Sequence, residues 1–292
     1  MKNFFRTTAM KFSVVAAACL FTFGNVDAQS KDEKSLLWKI EGNGISQPSY
    51  LFGTVHMICQ DRFNMDEKVK TAIAQTSQTY LEIDLSNPDM AAEAQKHMMA
   101  SQPTSALVSP EDAKYIDSTL KAKLGAGLDR LDNIKPMILI AGIVQQSFPC
   151  PLASFESEII QLTNEKTQKT YGLSSVEEQY AFLEKVMKTE KFAQYLKEMG
   201  AININDLFEK IFAAYESEDL DTLMQLFEEF STNDPEAYHQ LLTVRNQLWA
   251  DRLPEVIKET PTFIGVGAAH LKGKDGMIEL LRAKGYTVTP VL

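Results

Sequence analysis

Tyr50-Leu51-Phe52-Gly53-Thr54-Val55-His56 is an apolar run that ends in the pattern Gly-x-x-His. A second copy of this pattern lies near the other end of the chain, at Phe263-Ile264-Gly265-Val266-Gly267-Ala268-Ala269-His270. Short apolar runs bounded by glycine are typical of buried β-strands. Each copy therefore predicts a strand, a turn and a histidine at the strand end, and together the copies hold two of the four histidines in the chain.

Each copy is followed by a second pattern, that of an amphipathic helix and another strand. After the first copy we predict a helix over residues 66–78 and a strand over 79–85; after the second, a helix over 275–284 and a strand over 286–291. Such β-α-β units favour neighbouring parallel strands.

The segment before the first copy predicts one more strand, over residues 36–41. It should pair with the first copy as a hairpin through Gly42-Asn43-Gly44. The sheet halves then cover about residues 35–88 and 260–292. The predicted fold class is α/β, with a mixed central sheet built from the β-α-β units at both chain ends and a large helical insert between them.

The insert, about residues 89–259, has almost entirely helical periodicity. One short strand is predicted inside it, at 170–172. The predicted helices cover residues 89–100, 110–124, 136–147, 155–167, 175–188, 190–199, 205–215, 218–230 and 235–257.

Residues 1–28 have the pattern of a secretory signal peptide. Lys2, Arg6 and Lys11 give a basic start, residues 12–23 are apolar, and Val26-Asp27-Ala28 is a cleavage pattern. We expect cleavage after Ala28 and export to the periplasm or the exterior, which leaves residues 29–292 as one domain without a transmembrane segment.

The net charge limits the class of partner, and the cysteines indicate the compartment. The formal net charge of −10, without basic clusters, disfavours nucleic acid as a partner. Lipidation at Cys19 is the weaker alternative to cleavage after Ala28, because the apolar run continues past it. In an oxidising compartment Cys59 and Cys150 are a candidate disulfide, and two buried thiols are the alternative.

Three side chains are candidates for chemistry at the sheet edge. His56 and His270 end their strands, where sites in open α/β sheets form, and Gly53 and Gly267 allow a turn or a close backbone approach. Glu82 follows in the strand predicted over 79–85, where an unpaired buried carboxylate would be unfavourable. The alternatives are histidines that merely cap strands and an edge strand whose acids face solvent.

Arg245, in the long helix predicted over 235–257, could pair with a site carboxylate or clamp a substrate carbonyl. A solvated helix arginine is the alternative. Zincin, serine hydrolase, P-loop and Rossmann motifs are absent from the sequence.

The motifs together resemble those of the TraB/GumN family, which includes the Tiki proteins. The matching segments are Leu36-Leu37-Trp38-Lys39-Ile40, Tyr50 to His56, Leu81-Glu82, Arg245-Asn246 with Trp249, and Val266 to Leu271 with Gly285-Tyr286. The resemblance implies a fold related to erythromycin esterases and ChaN-like proteins. It points to His56, Glu82 and His270 as the site, with Arg245 and Asn246 in support.

Tiki members are metal-dependent proteases, so the resemblance implies a secreted metal-dependent hydrolase acting on a peptide or protein. His56, His270 and Glu82 would bind a divalent ion, with manganese, cobalt and zinc as candidates. Three alternatives use the same scaffold: a metal-independent esterase-like hydrolase, a haem- or ligand-binding protein, and a structural or inhibitory binding protein without activity. Leu173-Ser174-Ser175 departs from the Leu-Glu-Ser/Thr of many relatives, which weakens the transfer of activity.

Overall fold

A computed structural model describes residues 34–231 and 235–292, so the predicted signal peptide lies outside the described residues. The strands are β1 Leu37–Gly42, β2 Ser49–Thr54, β3 Ile58–Cys59, β4 Gln78–Leu81, β5 Leu152–Ala153, β6 Lys169–Gly172, β7 Thr262–Gly267 and β8 Tyr286–Pro290. Six of them form the central sheet, in the order β6-β4-β7-β2-β1-β8, and β3 and β5 form a separate two-stranded sheet.

The large sheet is mixed, as predicted. The four strands β6, β4, β7 and β2 are parallel, whereas β1 is antiparallel to both β2 and β8. The predicted hairpin between β1 and β2 is confirmed, and Gly42, Asn43 and Gly44 all have positive φ angles in its turn. The predicted fold class is therefore confirmed, with strands from both chain ends in one sheet.

One prediction about the sheet is wrong: the strands of each β-α-β unit are not neighbours. β7 lies between β2 and β4, and β2 with β1 lies between β7 and β8. The reason is burial, because Phe263, Ile264 and Val266 of β7 expose none of their surface. A strand that is apolar on both faces is most stable in the middle of a parallel sheet with helices on both sides.

Helices lie in both sheet halves and fill most of the insert, and all but two short ones, Thr104–Leu107 and Leu128–Leu131, were predicted at similar positions. The helices are α1 Glu67–Gln75, α2 Met90–Met98, α3 Thr104–Leu107, α4 Pro110–Leu124, α5 Leu128–Leu131, α6 Pro136–Gln146, α7 Phe155–Glu165, α8 Val176–Val186, α9 Phe192–Gly200, α10 Ile204–Glu216, α11 Leu220–Ser231, α12 Pro235–Tyr238, α13 Val244–Ile257 and α14 Met277–Ala283. None of the described helices is long and apolar enough to cross a membrane.

Two further predictions are corrected near the sheet edge. The helix predicted over 235–257 is interrupted by a π-helical turn, His239–Thr243, immediately before α13. The strand predicted over 79–85 ends at Leu81, because the Asp84 carboxylate accepts hydrogen bonds from the Ser86 amide and hydroxyl in a turn. Local side-chain bonds of this kind compete with the β-ladder. Glu82 therefore lies just beyond the strand.

Gly53 allows a close approach between β2 and the turn that follows β7. A Cβ atom at this position would lie 2.7 Å from the Leu271 side chain and 3.1 Å from the Ala268 backbone. Its φ angle is not positive, so the glycine is required here for space and not for a left-handed turn. The first Gly-x-x-His copy is thus packed directly against the second.

The insert has a hydrophobic core of its own in addition to the main core around the sheet. This second core joins α4, α6 and α9, and its fully buried members are Ile116, Leu120 and Phe192. The insert is therefore more than a set of loops between the sheet halves.

The predicted disulfide between Cys59 and Cys150 is present, with a Cα–Cα distance of 5.5 Å. It lies beside the small sheet, in which Ile58 pairs with Ala153 and Cys59 with Leu152. The Gln60 amide extends this contact with a hydrogen bond to the Pro151 carbonyl. The bond favours an oxidising compartment, in agreement with the predicted export.

We expect the double substitution Cys59→Ala and Cys150→Ala to lower the free energy of unfolding by about 2–5 kcal/mol. The disulfide closes a loop with a sequence separation of 91 residues, and its loss frees that loop in the unfolded chain. Denaturant unfolding would measure the loss, with the reduced wild-type protein as a control of similar stability. An unchanged unfolding midpoint would contradict the expectation.

Candidate functional site

The predicted site residues meet at the carboxyl edge of three adjacent strands. His56 follows β2, Glu82 follows β4 and His270 follows β7, which lies between the other two. Because these strands are parallel, all three side chains emerge at the same sheet edge. The Glu82 Oε1 atom lies 3.9 Å from His56 Nε2 and 3.7 Å from His270 Nε2.

Glu82 is a buried carboxylate at the centre of this group, with only 7% of its surface exposed. The Gly267 amide donates a 2.8 Å hydrogen bond to Oε1, and Arg245 Nη2 donates to Oε2. The alternative of an edge strand with solvated acids is therefore wrong for Glu82. Asp84, in contrast, turns toward Ser86 and stays out of the group.

The pKa of Glu82 is lowered to about 2 by its surroundings. Burial opposes the negative charge, but His270, Arg245, His56 and the Gly267 amide outweigh it. Because burial keeps His270 uncharged at neutral pH, we attribute most of this effect to the Arg245 guanidinium. Glu82 is thus an anion at every physiological pH.

Arg245 organises the group through four of its five N–H donors. Its Nη1 atom lies 3.3 Å from both the Leu241 carbonyl and His270 Nε2, and Nη2 donates to Glu82 and to Gln179 Oε1 at 3.0 Å. The guanidinium also lies 4.5 Å from the centre of the Trp249 ring. The alternative of a solvated helix arginine is therefore wrong, and these donors hold protein groups, not a substrate oxygen.

His270 is buried, and both of its ring nitrogens are engaged. Asn246 donates from Nδ2 to the Asp275 carbonyl, which turns its Oδ1 atom toward His270 Nδ1 at 2.6 Å. The proton therefore lies on Nδ1, and Nε2 accepts from Arg245. Burial lowers the pKa of His270 to about 3, so its ring is neutral.

His56 differs from His270 in its exposure, in the contacts of its Nε2 atom and in the direction of its pKa shift. Its side chain is 62% exposed although protein atoms surround the inner side of its ring. Nδ1 lies 2.8 Å from Glu156 Oε1, and no described side chain makes a hydrogen bond with Nε2. Burial lowers the His56 pKa, but the Glu156 hydrogen bond and the Glu82 charge prevail and raise it to about 9. Solvent on the open side weakens this effect without reversing it.

Gly267 leaves the space in which the three side chains meet. A Cβ atom there would lie 3.3 Å from Glu82 Oε1, 3.6 Å from His270 Cδ2 and 3.9 Å from His56 Nε2. The two glycines of the repeated motif therefore serve different purposes. Gly53 admits a packing contact, whereas Gly267 keeps the site open and also donates its amide to Glu82.

The sequence analysis missed two side chains of this group, Glu156 and Gln179. Glu156 lies in the first turn of α7, where an acid normally indicates only a favourable helix dipole. Gln179 lies one residue beyond the Ser175–Glu178 capping box of α8 and orients Arg245. The burial of Phe155 and Val176 beside them shows where these helix starts meet the core, but nothing local in the sequence indicates the partner.

Ser174, the departure from many relatives, has a structural partner. It is buried, and its hydroxyl accepts a 2.9 Å hydrogen bond from Trp249 Nε1. The Trp249 ring in turn packs against Arg245 and lies 4.7 Å from the His270 ring. Ser174 therefore holds the Trp249 ring, which packs against Arg245 and His270, and supplies no carboxylate to the site.

The donors do not fit a metal in the arrangement described here. Within residues 34–231 and 235–292, no group of three or more His, Cys, Asp or Glu side chains could hold a metal ion. Arg245 occupies both the Glu82 Oε2 atom and the His270 Nε2 atom. The nitrogen–oxygen separations of 3.7 and 3.9 Å also exceed the roughly 3.4 Å between ligands of a tetrahedral site.

We expect the His56 ring to titrate above the usual pKa of 6.5, and to titrate at lower pH in Glu156→Gln. The carboxylate stabilises the imidazolium, so its removal must lower the pKa. A pH titration of the histidine ring signals by NMR would measure both, with His56→Gln to assign the signal. A His56 pKa at or below 6.5 in the wild type would contradict the assignment.

We expect Gly267→Ala to disturb the site more than the fold. The added methyl group meets the Glu82 carboxylate but no backbone atom. Gly53→Ala, which meets Leu271 and the Ala268 backbone, is the matched comparison and should lower the melting temperature more. Thermal unfolding of both variants, with the His56 titration, would test this; equal loss of stability would contradict it.

Comparison with known proteins agrees with the motifs. Neither a curated protein nor a solved structure has significant similarity to the chain. The model of the TraB/PrgY/gumN family, however, matches residues 36–290, from the strand before the first motif to the last strand of the sheet. Since this match covers most of the chain, the protein belongs to the TraB/PrgY/gumN family.

Proposed function

We propose that this protein is a hydrolase in which His56 activates a water molecule beside the Glu82 carboxylate. The observation that carries the proposal is the convergence of His56, Glu82, Arg245 and His270 at the carboxyl edge of the sheet, with the His56 side chain 62% exposed and no described side chain hydrogen-bonded to its Nε2 atom. Buried charges with displaced pKa values are characteristic of catalytic sites.

Stability alone is a poor explanation for this group. A buried ion pair such as Glu82–Arg245 rarely stabilises a fold more than apolar side chains of similar volume would. Here the pair is accompanied by a buried neutral imidazole and a glycine that keeps the space open. Proton transfer at His56 Nε2, to which no described side chain is hydrogen-bonded, explains the arrangement better.

In the proposed reaction the roles follow from the contacts. His56 Nε2 takes a proton from water as the water attacks a substrate carbonyl, and returns it to the leaving group. Glu82 stabilises the imidazolium formed in this step, because its Oε1 atom lies 3.9 Å from Nε2. Arg245 and His270 are positioning residues that hold the Glu82 carboxylate.

A cleft of about 430 Å³ is lined by residues that include Asp84, Gly172, Ser174 and Arg252. None of the four side chains that meet at the sheet edge lines it, although the Ser174 amide donates to the Glu82 backbone carbonyl. The choice of substrate therefore rests on the family resemblance, which favours a peptidase over an esterase.

A metal-dependent form of the same hydrolase is the second candidate. One observation favours it: His270 bonds Asn246 and His56 bonds Glu156 through Nδ1, which directs both Nε2 atoms toward Glu82, as in metal-ligating histidines. If Arg245 withdrew, His56, His270 and Glu82 would be the ligands. A manganese, cobalt or zinc ion held there would polarise the substrate carbonyl and acidify water.

We expect His56→Ala to reduce hydrolysis by about 10²- to 10⁴-fold, as loss of an acid–base group does. Glu82→Gln should also reduce hydrolysis, because the imidazolium loses the anion that stabilises it. A peptide library and a set of simple esters would serve as substrates, and cleavage would be measured by mass spectrometry. His97→Ala is the control, because His97 stacks on Tyr180 in another part of the chain. Wild-type cleavage that both site variants retain would contradict the proposal.

The wild-type rate should also rise with pH, because His56 acts in its deprotonated form and its pKa is raised.

Chelator treatment and Mn²⁺ calorimetry distinguish the metal-independent hydrolase from the metal-dependent one. Chelator-resistant activity supports the water-activating histidine alone, whereas one-to-one Mn²⁺ binding lost in His56→Ala supports the metal form. A haem Soret band lost in His56→Ala, without any turnover, would replace both by a haem-binding function.

A further inference from the structure

Glu156 is a buried carboxylate that faces His56 from the side opposite Glu82. Only 7% of its surface is exposed. Its Oε1 atom accepts from the Thr54 hydroxyl at 2.6 Å and lies 2.8 Å from His56 Nδ1, while Oε2 accepts from the Ser154 hydroxyl at 2.9 Å. Both carboxylate oxygens are therefore held, and one of them is directed at the imidazole.

A position in the first turn of α7 does not account for this burial. Glu158, on the same helix turn, also favours the helix dipole but makes no ion pair among the described residues. Ser154 already caps α7, since its hydroxyl accepts from the Ser157 amide. Within the described chain, the only cationic partner of Glu156 is His56. Such a buried anion without its partner would be strongly unfavourable.

A disulfide and a pair of short strands bring Glu156 close to His56, although the two residues are far apart in the sequence. The Cys59–Cys150 disulfide and the β3–β5 pairing join the segment that follows His56 to the segment that precedes Glu156. Because β3 and β5 are antiparallel, the chain before β3 and the chain after β5 leave the pair at the same end. His56 and Glu156 are therefore held near each other. Thr54, the last residue of β2, adds a third connection through its hydroxyl.

We propose that Glu156 is a positioning residue for the reaction: it holds His56 with its proton on Nδ1 and its Nε2 atom directed at Glu82. This inference rests on the proposed function and names a residue of the same site. When Nε2 takes a proton from water, the imidazolium is paired with Glu156, which remains ionised throughout. The disulfide and the β3–β5 pairing keep the Glu156 and His56 side chains close together.

The test is Glu156→Gln, which keeps the side-chain shape but can present an amide N–H group to Nδ1. We expect kcat to fall by about 10²- to 10⁴-fold, as with other histidine-orienting carboxylates, while KM changes less than about threefold. Glu156→Asp should restore part of kcat because it keeps the charge. Glu158→Gln is the matched control and should leave kcat unchanged, since Glu158 contacts no site residue.

A second readout does not depend on turnover. ¹⁵N NMR of the wild-type ring should show the proton of neutral His56 on Nδ1, and Glu156→Gln should shift it to Nε2. If the wild-type protein hydrolyses nothing, the proposed function fails while this tautomer still tests the Glu156–His56 pair. A wild-type proton on Nε2, or full kcat with an unchanged tautomer in a folded Glu156→Gln, would overturn the inference.

Discussion

The buried contact between Arg245 and Glu82 is the interaction on which the rest of the site depends. It joins α13 to the end of β4, and the same guanidinium also holds His270 and Gln179. Removal of one member of such a pair leaves an uncompensated buried charge, at a cost of about 3–5 kcal/mol. The Arg245 guanidinium lies over the Trp249 ring, and Trp249 in turn donates a hydrogen bond to Ser174. The helical insert therefore does more than cover the sheet, because its last helix supplies the cation that keeps Glu82 ionised at the strand end.

The histidines of the two Gly-x-x-His copies differ in their chemistry. His270 is buried, hydrogen-bonded at both nitrogens and neutral. The His56 side chain is largely exposed, and two nearby carboxylates, Glu156 and Glu82, favour its protonated form. One motif thus provides a fixed support for the site and the other a side chain that can exchange protons with a bound molecule. The division follows from burial, because water reaches one ring and is excluded from the other.

Much of the fold was accessible from the sequence because it rests on local patterns. Apolar runs and helical periodicity predicted the strands of both chain ends and most helices of the insert, and the turn at Gly42-Asn43-Gly44 predicted the hairpin. The strand order was not accessible in this way. Both β-α-β units looked complete locally, and only the burial of Phe263, Ile264 and Val266 on both sheet faces explains why β7 separates β2 from β4. The strand end at Leu81 likewise depended on a side-chain turn at Asp84.

The sequence by itself determined which residues could form a site: two histidines after glycines, one glutamate within a predicted apolar strand, and an arginine and an asparagine on a long helix. These depend on residue type and spacing, which the chain carries locally. The tertiary structure alone decided the state of each group. It buried His270, left His56 open, satisfied four of the five N–H donors of Arg245 within the protein, and brought Glu156 to His56 across a disulfide. Charge state and hydrogen-bond partner depend on what surrounds a side chain in space, and most of those neighbours are distant in sequence.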